Sequence, residues 1–420
     1  MELGELEKFN TWWTTGTIRP ELVQDYKRDA YASILKYMDK KLMIILYGLR
    51  RMGKTTMMYQ IISELLKVNK SRYVLYFSFD EYTHSLKDIL NSYQEMVLNN
   101  TFDNIKENIY IFFDEIQKVP DWENQIKVYY DLYPSIKFIL SRSAAVSLRR
   151  KSNESLAGRI ISIYIEPLSF NEFLEMNGYD REKIRQNPDM YKRELIPMLQ
   201  KYMKYGTFPE LAHNDDEDYA KMYIKDSVID RIIYRDIENE FKINDTNLVR
   251  TLMKLIVNKP GLTLNFKAIS ENLGKDQRTI SNYFEYLEFG FLIKILYNYR
   301  ANDYISLRKL KKCYPATPNI IFALSDKFHE LLPYVMENLV LMKIKTDYFY
   351  KNSYEVDFIS VNNDKISPIE VKKTNRTERQ ITMFINKYGD RVENPLLITY
   401  DEEKYGNVSV VPLWKFLISQ

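Results

Sequence analysis

Gly48-Leu49-Arg50-Arg51-Met52-Gly53-Lys54-Thr55 satisfies the spacing G-x-x-x-x-G-K-[ST] at every fixed position. Few eight-residue strings constrain a fold so tightly, because the string works only with a strand before it and a helix after it. Both are present. The apolar run Leu42-Met43-Ile44-Ile45-Leu46-Tyr47 predicts a buried parallel strand, and Thr55 to Lys67 predicts a helix. In that order the loop's backbone N–H groups and the helix N-terminus converge on a phosphate. Lys54 is then placed to reach the β- and γ-phosphates, and the Thr55 hydroxyl to hold Mg²⁺. Gly48, Leu49, Arg50, Arg51, Met52, Gly53, Lys54, Thr55 and Thr56 form the expected nucleotide-binding segment, with ATP and Mg²⁺ as ligands.

A second apolar run, Ile109-Tyr110-Ile111-Phe112-Phe113, ends in Asp114-Glu115. At a strand's C-terminal end, Asp114 can hold the water shell of Mg²⁺, and Glu115 can polarise the attacking water as a general base. Two solvated acids at a strand end is the alternative, which the upstream phosphate loop disfavours. A third strand, Lys137-Phe138-Ile139-Leu140, ends at Ser141-Arg142-Ser143. Ser141 is expected to sense the γ-phosphate through a water, with Ser143 as the alternative. Arg159 precedes the apolar strand Ile160-Ile161-Ser162-Ile163-Tyr164-Ile165. It suits either an arginine finger acting on a neighbouring subunit's nucleotide or a structural salt bridge.

At 420 residues the chain predicts about three domains, and 45% apolar content supplies sizeable cores. Lys+Arg 60 against Asp+Glu 57 leaves +3, so any nucleic-acid surface must be local. A single cysteine, Cys313, excludes a disulfide framework, and three scattered histidines (His84, His213, His329) argue against zinc. The first residues lack the apolar stretch of a signal peptide, and no apolar run approaches the span of a bilayer. A cytoplasmic protein without membrane contact is the expectation.

Residues 1–40 read as amphipathic helix, with Trp12-Trp13 packing back on the core. Strands near 42–47, 73–79, 109–114, 137–142 and 160–165 alternate with helices, which predicts a parallel sheet covered on both faces. The expected division is a P-loop core over 1–170, a helical lid over 171–245, a winged helix over 246–315 and an α/β domain over 316–420. In the third segment, Lys267 to Leu273 reads as a short helix ended by Gly274, and Arg278 to Leu287 as a second. Ile280, Phe284 and Leu287 face the core, leaving Lys275, Gln277, Arg278, Ser281 and Asn282 outward. That is a helix-turn-helix, suited to base edges or phosphates, with domain packing or protein contact as the alternative. Phe291 to Leu296 would be a wing strand, followed by the basic run Arg308-Lys309-Leu310-Lys311-Lys312.

In the last segment, the strand Tyr354 to Ser360, which holds Glu355 and Asp357, turns at Asn362-Asn363-Asp364 into the strand Ile366 to Lys372, which holds Glu370. Period-2 alternation puts Glu370 and Lys372 on one face, where Asp357 can join them. Such a set can hold a divalent metal, with Glu337 on the preceding helix as a further member. A hairpin with a solvated salt-bridge face is the bland alternative.

Together these features resemble the AAA+ ATPases of archaea and bacteria that join a P-loop module to a winged helix and a PD-(D/E)XK nuclease-like domain. The likeness runs from about residue 30. It is carried by Gly48 to Thr55, Asp114-Glu115-Ile116-Gln117-Lys118, Leu156-Ala157-Gly158-Arg159, Pro167-Leu168-Ser169-Phe170, Gly206-Thr207-Phe208-Pro209-Glu210, Glu355-Val356-Asp357-Phe358 and Ile369-Glu370-Val371-Lys372. The chain departs from the pattern at Arg142, where such proteins carry a glycine. The resemblance implies an α/β fold of the P-loop NTPase (ASCE/AAA+) kind, with a helical lid, a winged helix and a restriction-endonuclease-like α/β domain. It implies ATP and Mg²⁺ roles for Lys54, Thr55, Asp114 and Glu115. It matches Glu337, Asp357, Glu370 and Lys372 to nuclease-like core positions. Three functions are open on this reading. They are an ATPase switch or motor acting on DNA, an ATP-gated metal-dependent DNA nuclease, and a signalling ATPase using its C-terminal parts for protein contacts. ATP or ADP, DNA, a protein partner or a second copy of the chain are the expected partners.

Overall fold

The computed structural model describes residues 2–80, 84–143, 156–300, 310–374 and 378–419. It divides into two compact units, Met1–Glu166 and Pro167–Gln420.

The first unit is built on a five-stranded parallel sheet. Its strands are β1 (Met43–Tyr47), β2 (Val74–Ser78), β3 (Ile109–Asp114), β4 (Ile136–Arg142) and β5 (Ile160–Tyr164), in the order β2-β3-β4-β1-β5. All five fall within a residue or two of the sequence expectation. The near-continuous apolar character of β1 to β4 follows from burial on both faces, while β5 at the sheet edge is half-buried. Ile45, Leu75, Phe77, Phe113 and Phe138 meet in one core cluster. Parallel strands share one carboxyl edge, and ligands of open α/β sheets sit there. That edge carries the loop after β1, Asp114 of β3 and Ser141 of β4. The register sets Leu46 beside Ser141 and Ser78 beside Asp114. β4, lying between β1 and β3, therefore brings Ser141 between the phosphate loop and the acids.

The first forty residues are less helical than expected. They hold α1 (Leu3–Phe9), a four-residue helix at Trp12–Thr15, a turn of 3₁₀ helix at Pro20–Leu22 and a helix at Asp29–Leu35. Gly16, at φ +75°, and Pro20 break the run. The interruption has a use. β2 is an edge strand, and exposed edges invite unwanted pairing. Asn10 takes the place of a further strand, donating to Tyr76 O (2.9 Å) and accepting from Tyr76 N (2.7 Å). Trp12 and Trp13 both donate to Val74 O, at 3.0 and 2.9 Å. The tryptophans thus pack back as their pairing in the sequence suggested, and Trp12 is fully buried.

The second unit opens with helices. Phe170–Met176 starts with a reciprocal cap in which Glu172 N donates to Ser169 Oγ and Ser169 N to Glu172 Oε2. The Gly206-Thr207 segment is structural. Asn319 accepts from Thr207 N (2.8 Å) and Thr207 Oγ1 (2.6 Å), and donates to Tyr202 O and Met203 O. A Cβ at Gly206 would lie 2.5 Å from Tyr202 Cα, so glycine is required there.

Helix α2 (Lys54–Leu66) follows β1, and α3 (Trp122–Leu132) precedes β4 in the first unit. In the second unit, α4 (Thr246–Asn258) leads through the short β6 (Leu262–Thr263) to α5 (Phe266–Leu273) and α6 (Gln277–Phe289). Gly274 at φ +61° ends α5. Asp276 caps α6 by accepting from Arg278 N and Thr279 N, so this acid beside the outward Lys275 and Arg278 has a structural task. Ile280, Phe284 and Leu287 are fully buried, and Gln277 and Arg278 are exposed. β7 (Ile293–Asn298) and β8 (Lys311–Pro315) pair antiparallel, and β8 pairs with β6. Arg308 and Lys309 of the basic run lie outside the described residues.

The sheet does not stop at that segment. After α7 (Leu332–Ile344), β9 (Tyr348–Lys351) pairs in parallel with β7. β10 (Glu355–Asn362), β11 (Lys365–Val371), β12 (Leu396–Thr399) and β13 (Ser409–Pro412) complete eight strands in the order β13-β12-β11-β10-β9-β7-β8-β6. Helix α8 (Arg379–Tyr388) packs on β10 and β11. The buried Asn298 fastens the junction, donating to Lys351 O (2.8 Å) and accepting from Lys351 N (3.0 Å). Strands from segments 246–315 and 316–420 thus share one sheet. Among the described residues, no helix is long and apolar enough to cross a membrane.

Candidate functional site

The loop between β1 and α2 is anchored by apolar residues and shaped by two glycines. Leu49 and Met52 are fully buried, and Arg50 is nearly so. Gly48 has φ +145°, and a Cβ there would lie 2.5 Å from Ile165 O, so only glycine fits between β1 and β5. Gly53 has φ +86° and caps α2, while Arg51 takes φ +66° in the same loop. Lys54 and Thr55 open the helix, with Thr56 next. The Lys54 ammonium is buried and folds back over the loop, donating to Gly48 O (3.0 Å) and Leu49 O (2.9 Å).

Asp114 ends β3 and is buried. Its carboxylate gathers three hydroxyls: Thr55 Oγ1 at 2.6 Å, Tyr76 at 3.0 Å, and Ser141. Burial pushes the Asp114 carboxyl above its usual range and the Glu115 charge adds to this, while the three hydroxyls pull it back. Ser141 also accepts from Glu115 N at 3.1 Å. Glu115 itself takes the left-handed conformation, φ +55°, which is costly for a residue with a Cβ and characteristic of functional positions. Its carboxylate accepts from Gln117 Nε2 and from Ser143 Oγ (3.0 Å), and Gln117 also donates to Ser143 (3.1 Å). The two serines around Arg142 therefore divide the work, Ser141 facing Asp114 and Ser143 facing Glu115. The guanidinium of Arg142 is buried between them in the chain.

Three contributors escaped the sequence reading. Tyr76 is a hydroxyl in an otherwise apolar buried strand, a signal available in principle. Gln117 carries no signal beyond its place in the run Asp114-Glu115-Ile116-Gln117-Lys118. Arg28 is buried and donates to Met52 O and Glu166 O, both at 2.9 Å, holding the phosphate loop from the side of the N-terminal segment. Arg159 is placed otherwise than a free finger. It forms a two-pronged ion pair with Asp131, at 2.9 and 3.2 Å, on the surface.

The other expected set also comes together. Asp357 on β10 lies one step before Phe358, which pairs with Ile369, the residue before Glu370. Asp357 Oδ2 accepts from Val371 N (2.9 Å). Lys372 pairs with Glu370 Oε1 at 3.1 Å and donates to Gln380 (2.7 Å). Glu337 on α7 accepts from Tyr314 OH at 2.7 Å. Burial first, then the Asp357 charge, pushes both Glu337 and Glu370 up to about 8. Among the described residues, however, no three His, Cys, Asp or Glu side chains are disposed to hold a metal ion. The expected ligand set Glu337, Asp357 and Glu370 is gathered but not preformed. A further residue, Lys312 of β8, reaches the same cluster and pairs with Glu355 and with Asp357 (3.9 Å).

Comparison with known proteins agrees with the first site. Residues 40–174 match the family model described as an AAA domain, and residues 196–328 match a domain of unknown function (DUF8612). An uncharacterized protein of Methanocaldococcus jannaschii is 29% identical over 92% of this chain and 90% of its own. A second from the same organism is 28% identical over 90% and 85%. An uncharacterized protein of Haemophilus influenzae is 26% identical over 64% and 65%. Among solved structures, a Walker-type ATPase of Pyrococcus abyssi matches 74% of this chain and 99% of its own, at 16% identity and a TM-score of 0.42. The ORC1 protein of Aeropyrum pernix, solved in complex with DNA, matches 76% and 97% at 12% identity and a TM-score of 0.33. Residues 40–174 are thus similar to an AAA domain, and the parallel sheet and the phosphate loop lie within that stretch.

Proposed function

We propose that this chain is a Mg²⁺-dependent ATPase that works as a switch on DNA. The observation that carries the ATPase half is the 2.6 Å contact between Thr55 and Asp114, with Glu115 adjacent and Lys54 folded on the glycine loop. The glycine cradle and a buried carboxylate ringed by hydroxyls fit a nucleotide with its cation. Thr55 and Asp114 would hold Mg²⁺, which neutralises charge on the phosphates when bound. Lys54 exchanges the carbonyls of Gly48 and Leu49 for phosphate oxygens. Glu115 accepts a proton from the attacking water, and Ser141 holds the neighbouring backbone so that the two acids keep their roles apart.

For the DNA half, α5, the turn at Gly274 and α6 followed by β7 and β8 have the order of a winged helix. Gln277 and Arg278 are exposed just after the Asp276 cap, where such a helix offers residues to a groove or phosphates. The nuclease-like sheet then serves as a scaffold for the reader.

ATP turnover with and without duplex DNA, followed in the same tubes as DNA integrity, tests this reading. Salt-sensitive stimulation that Arg278→Ala weakens, with the DNA left intact, is the expected result. Turnover indifferent to DNA would move the function to a signalling ATPase with a protein partner. Nicking abolished by Glu370→Gln would make it a nuclease.

A further inference from the structure

The C-terminal carboxylate cluster already has a cation. Lys312 enters it from β8, its backbone fixed on both sides by pairing with Thr263 and Leu296. Its side chain is 6% exposed. The ammonium pairs with Glu355 and Asp357 Oδ1 and rests over the Phe349 ring. The other carboxylate oxygens are largely committed. Asp357 Oδ2 takes Val371 N, Glu370 Oε1 takes Lys372, and Glu337 Oε2 takes Tyr314. Among the cluster's carboxylate oxygens in the described residues, Glu370 Oε2 is fully buried with no hydrogen-bond partner. Carboxylates so engaged, with no three disposed to hold a metal ion among the described residues, are poor provision for Mg²⁺, which requires near-octahedral oxygen ligands and gives up water reluctantly.

We infer that Lys312 is the resident cation of this cluster, standing where the nuclease resemblance would put a divalent ion and closing the site to metal. A tethered ammonium supplies charge and three donors without dehydrating a small ion. It also gives the cluster a different task. Lys312 belongs to the strand that follows the helix-turn-helix segment, and Glu355 and Asp357 belong to the C-terminal hairpin. Their ion pairs fasten one part of the eight-stranded sheet to the other. Removing one partner of such a pair leaves the other charge uncompensated, so loss of Lys312 loosens that fastening. This inference is independent of the ATP site.

The test is a Mn²⁺ titration of the full chain, stripped of metal and free of nucleotide, read by the spin resonance of unbound Mn²⁺. Wild type is expected to show no Mn²⁺ uptake that Glu370→Gln removes, even in the millimolar range. Lys312→Met is expected to gain one Mn²⁺ per chain, lost again when Glu370→Gln is added. Wild-type binding that disappears in Glu370→Gln would overturn the inference, and so would a folded Lys312→Met protein that gains none. Should Lys312→Met fail to fold, wild type against Glu370→Gln still decides.

Discussion

Replacing Glu115 by Gln separates chemistry from binding. The carboxylate accepts from Gln117 and Ser143. Both contacts are to the one oxygen Oε2, so an amide of the same shape that places its oxygen there keeps them, and the local hydrogen bonds survive. The backbone at φ +55° costs the same with either side chain. The expected change in stability is therefore below about 1 kcal/mol. What the amide cannot do is take a proton from water. A positioned general base contributes roughly 10²–10⁴-fold. That corresponds to about 3–5 kcal/mol of barrier. Phosphate release should fall by that factor, while the affinity for a fluorescent ATP analogue and the melting temperature stay near wild type. Turnover within about threefold of wild type would refute the base assignment and with it the reading of the Gln117–Ser143 contact as support for a reactive group.

Asn319→Leu should destabilise the second unit by roughly 3–5 kcal/mol, because four hydrogen bonds go and the buried Thr207 N and Met203 O lose the partner they have in Asn319, and thermal melting would show it. Glu370→Gln should change stability with pH. A carboxyl raised to about 8 in the fold stabilises most below its unfolded value and loses that contribution as pH rises through about 8. The neutral variant should thus match wild type near pH 5 and exceed it by on the order of 4 kcal/mol near pH 9, as denaturant titrations at the two pH values would report. Arg159→Ala should leave stability within about 1 kcal/mol, since its pair with Asp131 is surface-exposed. Turnover should hold within about threefold. A deeper loss, restored by mixing with Lys54→Ala protein, would show an arginine finger acting between subunits.

The first unit was legible because its signals are local and redundant. An eight-residue loop, flanked by apolar runs of strand length, fixes Lys54, Thr55 and the strand before them. The acids after Phe113 then fall on the same sheet edge by parallel pairing. Arg28 was not legible, because it reaches the loop from the N-terminal segment, a relation no spacing encodes, and the Tyr76 hydroxyl stood out in its apolar strand without any spacing that tied it to Asp114. The N-terminal forty residues misled through amphipathic periodicity. Their apolar positions serve an edge strand through Asn10 and the tryptophans rather than one long helical face. In the second unit, the buried positions of α6 followed from periodicity, whereas the parallel pairing of β7 with β9 is a long-range contact invisible in the sequence. The same pairing explains Lys312. Read along the chain it belonged to a basic run, and only the shared sheet brings it to Glu355 and Asp357.

The most direct test of the ATPase assignment is phosphate release by wild type and Lys54→Ala, each with Mg²⁺ and with EDTA. Hydrolysis that needs both the lysine and the cation is the predicted result. A wild-type rate persisting in Lys54→Ala would contradict it, since no other ammonium is placed by the structure on the glycine loop at Gly48 and Leu49 among the described contacts.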